Sequence, residues 1–266
     1  VMTYVRAFLA SVHVISHGVH DVPGCAYLGA GDGALKVRLG HGLTALKKTK
    51  PRRGHTVESA NAVFDLVPVC SEFERSNKLE WGIAPERLVV TGIPRFDTLL
   101  AKQRTYPAQP RRLLYMPTWR DAVAAASEWE TTPFYRGVTG FLCDARLHRV
   151  LSEHGATLDV FLHINLQAHV RGLDERLEGT PVRLIKVTDP QRAFAEAGLL
   201  ITDYSCVSWD VFYLDKPVVF YHFDLAQHAG DRGGHVAFDD TLPGPSLRTP
   251  EALTDTREQH LRGTLM

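Results

Sequence analysis

The chain has 266 residues, of which 44% are hydrophobic and 23% are charged, a composition typical of a soluble globular protein with one large or two modest domains. Basic residues number 30 and acidic residues also number 30, so no net charge favours nucleic acid, and no nucleic-acid partner is expected. Every apolar run is shorter than the roughly 20 residues of a membrane-spanning helix, and no secretion signal opens the sequence, so a cytoplasmic location is predicted.

In the first part of the chain, short runs rich in β-branched residues alternate with helical patterns. This alternation is typical of βαβ units that build a parallel sheet. The pattern starts at once, without a disordered lead-in, so we expect the chain to be a piece of a longer protein. Strands are predicted at Val12–Ser16, Ala34–Gly40, Val67–Cys70 and Arg87–Val90, and helices at Tyr4–Ala10 and Glu72–Trp81.

A polar segment interrupts the alternation in the middle of the chain. Residues 101–112, AKQRTYPAQPRR, contain two prolines and no period, which predicts a connector between domains. We therefore predict two similar α/β halves, residues 1–105 and 106–266. In the second half, strands are predicted at Leu113–Met116, Asp159–His163, Val182–Val187, Leu199–Thr202 and Val218–Tyr221, and helices at Leu142–Glu153, Pro190–Ala197 and Ser208–Leu214.

In open parallel sheets, ligands bind beyond the carboxyl ends of the strands, so polar residues that follow strands are the first candidates for a site. His41 and Gly42 follow a predicted strand, and Lys47 comes one or two helical turns later. The imidazole of His41 is suited to taking a proton from a hydroxyl near neutral pH, although a turn glycine beside a surface histidine has the same pattern. The basic run at residues 47–53 is either a solvated loop or an edge that docks a polyanion.

The second half offers further candidates at strand ends. Arg120 follows the first strand and can either hold a phosphate through two nitrogens or pair with its neighbour Asp121. His163 ends the next predicted strand and is either a ligand or a satisfied core residue. Arg232 lies in a glycine-rich segment before a Pro-Gly-Pro turn, which indicates an ordered loop over a ligand.

The stretch LLITDYSC at residues 199–206 is the most informative. An apolar strand delivers Thr202, Asp203 and Ser205 to the start of a helix, where hydroxyls and amide N–H groups suit a phosphate or pyrophosphate. A plain helix cap needs only one such residue. A phosphate-binding role is therefore the favoured interpretation.

The four cysteines are Cys25, Cys70, Cys143 and Cys206, and they show neither metal-ligand spacing nor a CxxC pair. We interpret them as reduced, mostly buried structural thiols. No metal site and no cofactor is predicted.

Taken in order, these segments resemble the CDP-glycerol glycerophosphotransferase family, which comprises teichoic-acid primases and polymerases and related capsule enzymes. The resemblance covers most of residues 36–245 and is carried by HGLTALKK, TGIPRFDTLL, LLYMPTWRD, LLITDYSCVSWD, LDKPVVFYHFD, DRGGHVAFD and LPGP. It implies the GT-B architecture, in which two Rossmann-like domains with parallel sheets face each other across a cleft. Residues 1–105 would be the C-terminal part of the acceptor-side domain, and residues 106–266 the nucleotide-donor domain.

The resemblance also implies a reaction. A hydroxyl of a lipid-linked or polymeric acceptor attacks the glycerol-bearing phosphorus of CDP-glycerol, or of a similar CDP-polyol, and CMP leaves. His41 would be the general base with Lys47 in the same cleft, and parts outside this chain would give peripheral contact with the inner face of the cell membrane. With Arg120 added from its position, the predicted donor-binding residues are Arg120, His163, Thr202, Asp203, Ser205 and Arg232.

Two alternatives remain open at this point. One is a GT-B glycosyltransferase or epimerase that uses a UDP-sugar. The other is a non-catalytic binding module, which is favoured by Ile164 and Cys206, where family members often have proline and usually have serine.

Overall fold

The computed structural model describes residues 2–16, 18, 21–22, 33–40, 42–43, 46, 63–120, 129–163, 166, 172–231 and 241–263. The chain divides into two compact units, residues 1–97 and 98–266. Within those described ranges, no helix is long and apolar enough to span a membrane.

The first unit contains parallel strand pairs. Strand β1 pairs with β2, β3 pairs with β4, and a bridge between Val37 and Leu66 links the two pairs. Helix α2 begins after Ser71, whose hydroxyl accepts a hydrogen bond from the amide of Glu74, a standard helix cap. The elements are α1 (Met2–Leu9), β1 (Val12–Ile15), β2 (Leu35–Arg38), β3 (Val67–Val69), α2 (Glu72–Glu80), a 3₁₀ turn (Pro85–Arg87) and β4 (Leu88–Val90).

Helix α3 (Pro94–Thr105) leads from the first unit into the second. The remaining elements belong to the second unit. They are β5 (Gln109–Met116), a 3₁₀ turn (Trp129–Thr131), α4 (Pro133–Leu142), α5 (Ala145–Glu153), β6 (Thr157–Val160), α6 (Leu173–Leu177), β7 (Val182–Leu184), α7 (Pro190–Glu196), β8 (Ala197–Thr202), α8 (Val207–Tyr213), β9 (Val218–Tyr221), α9 (Leu225–Asp231), β10 (Ser246–Leu247) and α10 (Pro250–Leu261).

The strands of the second unit form one parallel sheet, which has six strands in the described part of the chain. Its order is β10-β9-β8-β5-β6-β7, the 3-2-1-4-5-6 order of a doubly wound Rossmann sheet. The chain runs outward from β5 through β6 to β7, crosses back to β8 and continues outward to β10. The strand order therefore reverses between β5 and β8, and in sheets of this kind the ligand-binding crevice lies at the carboxyl ends of the two strands where the order reverses.

The core of the second unit surrounds the central strands. Leu113 and Tyr115 of β5 and residues 199–201 of β8 are almost fully buried, because helices cover a parallel sheet on both faces. Helix α4 contributes Phe141, whose ring meets that of Tyr115 edge to face. This packing holds α4 against β5, and the ladder between β5 and β8 sets the register of their ends.

The Pro-Gly-Pro turn at residues 243–245 has a steric cause. A Cβ atom on Gly244 would lie 1.9 Å from the carbonyl oxygen of Val218 in β9. The amide of Phe220 donates to the carbonyl of Pro245 at 2.9 Å, so the turn lies directly against β9. Glycine is therefore required for β10 to join the sheet.

Several element predictions are wrong in detail. The predicted connector at residues 101–112 is helix up to Thr105 and strand from Gln109. The strand accommodates Pro110 because this residue lies near the start of β5, where the pairing with β8 is irregular. The predicted helix Leu142–Glu153 is present as α5 and starts three residues later, because the carboxylate of Asp144 accepts from the amides of Arg146 and Leu147 and caps the helix there. The other predicted strands and helices are present, with ends shifted by up to four residues, the largest shift being at the start of β5.

Of the four cysteines, Cys70, Cys143 and Cys206 form no disulfide and are half-buried, so they are less buried than predicted. Burial raises the pKa of Cys70 to about 11. Cys25 lies outside the described residues.

Candidate active site at the carboxyl ends of β5 and β8

Two segments form the crevice where the strand order reverses. Residues 117–120 follow β5 and residues 203–206 follow β8. The hydroxyl of Thr202 donates to the carbonyl of Met116 at 2.7 Å, and the carboxylate of Asp203 accepts from the amide of Thr118 at 2.9 Å. Two hydrogen bonds therefore join the ends of β5 and β8.

Arg120 lies at the centre of a group of hydrogen-bonded side chains with little exposure to solvent. We call this group, which consists of Arg120, Asp203, Tyr204 and Asp224, the Arg120 cluster. The Nε of Arg120 donates to Asp224 at 2.8 Å, its Nη2 to Asp203 at 2.8 Å, and its Nη1 to the carbonyl of Thr118 at 2.7 Å. Burial alone would lower the pKa of Arg120, but the carboxylates of Asp203 and Asp224 outweigh it and raise that pKa above its usual value. Arg120 therefore stays charged.

Tyr204 links the cluster to neighbouring aromatic rings. Its hydroxyl donates to Asp224 at 3.2 Å, and its amide donates to the carboxylate of Asp203 at 2.6 Å. Its ring stacks against His222 and His228, with centroid distances of 4.6 Å and 3.5 Å. Burial raises the pKa of Tyr204, so its hydroxyl remains a neutral donor.

His222 connects the cluster to β10. Its Nε2 lies 3.1 Å from the main-chain carbonyl oxygen of Asp203, and its Nδ1 lies 2.8 Å from the hydroxyl of Ser246. Because a carbonyl oxygen can only accept, Nε2 carries the hydrogen and Nδ1 accepts from Ser246. Burial lowers the pKa of His222, which favours this neutral form.

With this geometry established, the comparison with known families is decisive. The chain matches the CDP-Glycerol:Poly(glycerophosphate) glycerophosphotransferase family over residues 2–262. It belongs to this family. The resemblance seen in the sequence motifs is thereby confirmed.

Curated relatives of this glycerophosphotransferase-family chain are longer. The teichoic acid poly(glycerol phosphate) polymerase of Bacillus subtilis (strain 168) is 26% identical over 185 residues, which are 65% of this chain and 24% of the polymerase. The teichoic acid glycerol-phosphate primase of the same organism is 26% identical over 239 residues, which are 86% of this chain and 58% of the primase. The chain thus spans from about a quarter to three fifths of these relatives' length.

Solved structures show the same fold. A variant of the wall teichoic acid polymerase TagF aligns with a TM-score of 0.71 and 20% identity, covering 96% of this chain and 66% of that one. The UDP-GlcNAc 2-epimerase of Methanocaldococcus jannaschii aligns with a TM-score of 0.55 and 12% identity, covering 96% and 69%. The predicted α/β class of GT-B type is confirmed.

The predicted donor-binding residues that the structure describes form two groups in the second unit. Thr202 and Asp203 are buried, the side chain of Arg120 is 11% exposed, and all three are bonded to the protein itself. Ser205 is half-buried at the start of α8, and His163 is exposed after β6, where its ring lies 6.1 Å from that of Trp119. Their roles toward a donor remain predictions.

Three predicted residues, His41, Lys47 and Arg232, lie outside the described residues. Their assignments as general base, cleft lysine and donor-phosphate contact stay predictions. Among the residues that are described, no group of three His, Cys, Asp or Glu is placed to hold a metal ion.

Two residues of the site were missed by the sequence analysis. Asp224 and His222 belong to the segment YHFD that directly follows β9. Their signal was present, because this segment is part of the motif LDKPVVFYHFD. A third group, the hydroxyl of Thr118, is buried without a hydrogen-bond partner among the described residues.

Proposed function

We propose that this chain is the catalytic part of a transferase that moves glycerol phosphate, or a related polyol phosphate, from a CDP-activated donor to a hydroxyl of a lipid-linked or polymeric cell-surface acceptor, with release of CMP. The observation that carries the proposal is family membership over almost the whole chain. The relatives named as teichoic acid polymerase and primase, and a TagF variant soaked with CDPG, support it.

The donor would bind in the crevice beyond β5 and β8. Ser205 and His163 are the predicted donor-binding side chains that solvent reaches, and both follow strands of the Rossmann sheet. Hydroxyl and imidazole groups there suit the pyrophosphate of a CDP-polyol. Phosphoryl transfer needs mainly positioning and charge stabilisation, which such a site provides.

In the proposed reaction, the acceptor oxygen forms a bond to the phosphorus that carries the polyol. The bond from that phosphorus to the oxygen bridging it to the cytidylyl phosphate breaks, and CMP leaves with the electron pair. By the family resemblance, His41 would take the proton of the acceptor hydroxyl, Lys47 would act beside it, and Arg232 would contact the donor phosphates.

Residues 1–105 would serve the acceptor and residues 106–266 the donor. The whole protein would act in the cytoplasm, at the inner face of the cell membrane, because a lipid-linked acceptor is anchored there.

Ligand-dependent melting tests the donor. A ligand at 100 times its dissociation constant stabilises a protein by about 2.7 kcal/mol, so CDP-glycerol or CDP-ribitol should raise the melting temperature and UDP-GlcNAc should not.

His163→Ala should reduce the rise in melting temperature that CDP-glycerol causes. His154→Ala is the matched control, because His154 precedes β6 whereas His163 follows it. Stabilisation by UDP-GlcNAc alone would instead favour a UDP-sugar enzyme, and stabilisation by none of the three would favour a non-catalytic module.

A further inference from the structure

The guanidinium of Arg120 is occupied by the protein itself. Among the described residues, four hydrogen bonds use its nitrogens: one to Thr118, one to Asp203 and two to Asp224, at 2.8 Å and 3.1 Å. A guanidinium has five N–H donors, so one remains, and a bidentate phosphate contact needs two. Arg120 is thus not arranged to hold a donor phosphate.

We propose that Asp224 is a positioning residue: it holds Arg120 in the cluster, so that Arg120 fixes the segments after β5 and β8 instead of contacting the donor. The inference rests on the proposed function for its effect on CDP-glycerol, and it concerns side chains that are hydrogen-bonded to one another. It assigns Arg120 a different role from the one its position in the sequence predicted.

Burial supports a positioning role. The side chains of Arg120, Asp203 and Asp224 are 11%, 1% and 5% exposed. The guanidinium also lies 5.1 Å from the ring centroid of Phe134 and 4.9 Å from that of Tyr204, so aromatic rings cover it. A charge this enclosed is stable only while its carboxylate partners stay in place.

The cluster determines where the exposed candidates lie. Asp203 receives the amides of Thr118 and Tyr204, and Ser205 follows Tyr204 directly. Arg120 donates to that carboxylate and to Asp224, and the Tyr204 hydroxyl donates to Asp224. Loss of Asp224 would therefore loosen both segments of the crevice, and a site built for a pyrophosphate depends on such preorganisation.

The test compares Asp224→Asn with the matched control Asp159→Asn in the full chain. Asp159 is another buried carboxylate that bridges arginines in the same sheet, but within β6 and not at the crevice. Titration calorimetry with CDP-glycerol should show at least tenfold weaker binding for Asp224→Asn and unchanged binding for Asp159→Asn. If Asp224→Asn binds CDP-glycerol as tightly as the unchanged protein or more tightly, Arg120 has been freed for the phosphates and the proposal is wrong.

Amide hydrogen exchange tests the positioning separately from the function. Asp224→Asn should speed exchange at the amides of Thr118 and Tyr204, and Asp159→Asn should not. Unchanged exchange at both amides would overturn the inference even if the donor is correct. Faster exchange in a protein that does not bind CDP-glycerol would support the positioning role and refute the proposed function. Tyr204→Phe, which removes only the hydroxyl bonded to Asp224, should produce the same changes at smaller size and serves if Asp224→Asn does not fold.

Discussion

Two arginines, one within β5 and one just beyond its end, each bridge two carboxylates, and the surroundings of these two arginines differ. Arg120, just beyond the strand, bridges Asp203 and Asp224. Arg112, within the strand, contacts Asp159 through Nε at 2.6 Å and also contacts Glu196. We call the second group, with Arg183 and Arg192, the Arg112 cluster.

The difference lies in the number of cations and in access to solvent. In the Arg112 cluster, Asp159 also contacts Arg183 and Glu196 also contacts Arg192, and both outer arginines are 53% exposed. This cluster borders an open cavity of about 370 Å³. In the Arg120 cluster, Arg120 is the single arginine shared by the two aspartates in the described contacts. Each carboxylate of the Arg112 cluster therefore has two arginine partners, whereas the two aspartates of the Arg120 cluster depend on one shared arginine in the described contacts.

The largest expected effect is the loss of the central arginine. Arg120→Met should reduce the free energy of unfolding by about 3–5 kcal/mol, because it leaves two buried carboxylates without their cation. Arg112→Met should cost about 1 kcal/mol or less, since each of its carboxylates keeps an exposed arginine. Urea denaturation of both variants measures these free energies of unfolding. Equal losses of stability in the two variants would contradict the claim that only the Arg120 cluster depends on a single arginine.

A smaller effect concerns pH. The pKa of His222 is lowered by burial in the folded state, with Asp203, Asp224 and Arg120 as its charged neighbours. As pH falls through about 6.5, the unfolded chain binds a proton at this residue and the folded chain does not, so stability decreases. His222→Gln should therefore flatten the dependence of the urea midpoint on pH between about 7.5 and 5.5.

Arg112→Met is the control for this pH experiment, because in the described contacts its cluster contains no histidine, and it should keep the full slope. An unchanged slope in His222→Gln would show that the proton is taken up elsewhere.

The smallest effect is expected at Arg257, a third buried arginine. It is fully buried, burial lowers its pKa to about 9, and its Nη1 has no hydrogen-bond partner in the part of the chain that the structure describes. Arg257→Met should change the free energy of unfolding by less than about 1 kcal/mol or stabilise the protein, because an unpaired buried charge is costly. A loss above about 2 kcal/mol in urea would contradict this and place Arg257 with Arg120.

The sequence predicted the parallel α/β class and the importance of strand ends, since both follow from short-range patterns such as LLITDYS. It did not predict the Arg120 cluster. Asp224 lies 104 residues from its partner, and no local pattern links residues that far apart. Arg120 was assigned to a phosphate or to its neighbour Asp121 because only nearby residues were considered.

The connector prediction failed for a related reason. The segment at residues 101–112 is polar and contains prolines, but its ends are held by tertiary contacts. The side chain of Gln103 donates to the carbonyl of Leu214, and Arg112 contacts two carboxylates of the sheet. Tertiary structure therefore overrides the local composition here.

The close approach of Gly244 to Val218 limits how this protein can diverge. Any side chain at that position would push β10 away from β9, and Ser246 would then lose the imidazole of His222. Changes that alter substrate preference while keeping the fold should accumulate instead among solvent-facing residues such as His163, which lies beyond the end of β6 and outside the strand pairing. The turn at residues 243–245 is therefore expected to keep its glycine, whereas the exposed residues around the crevice can change.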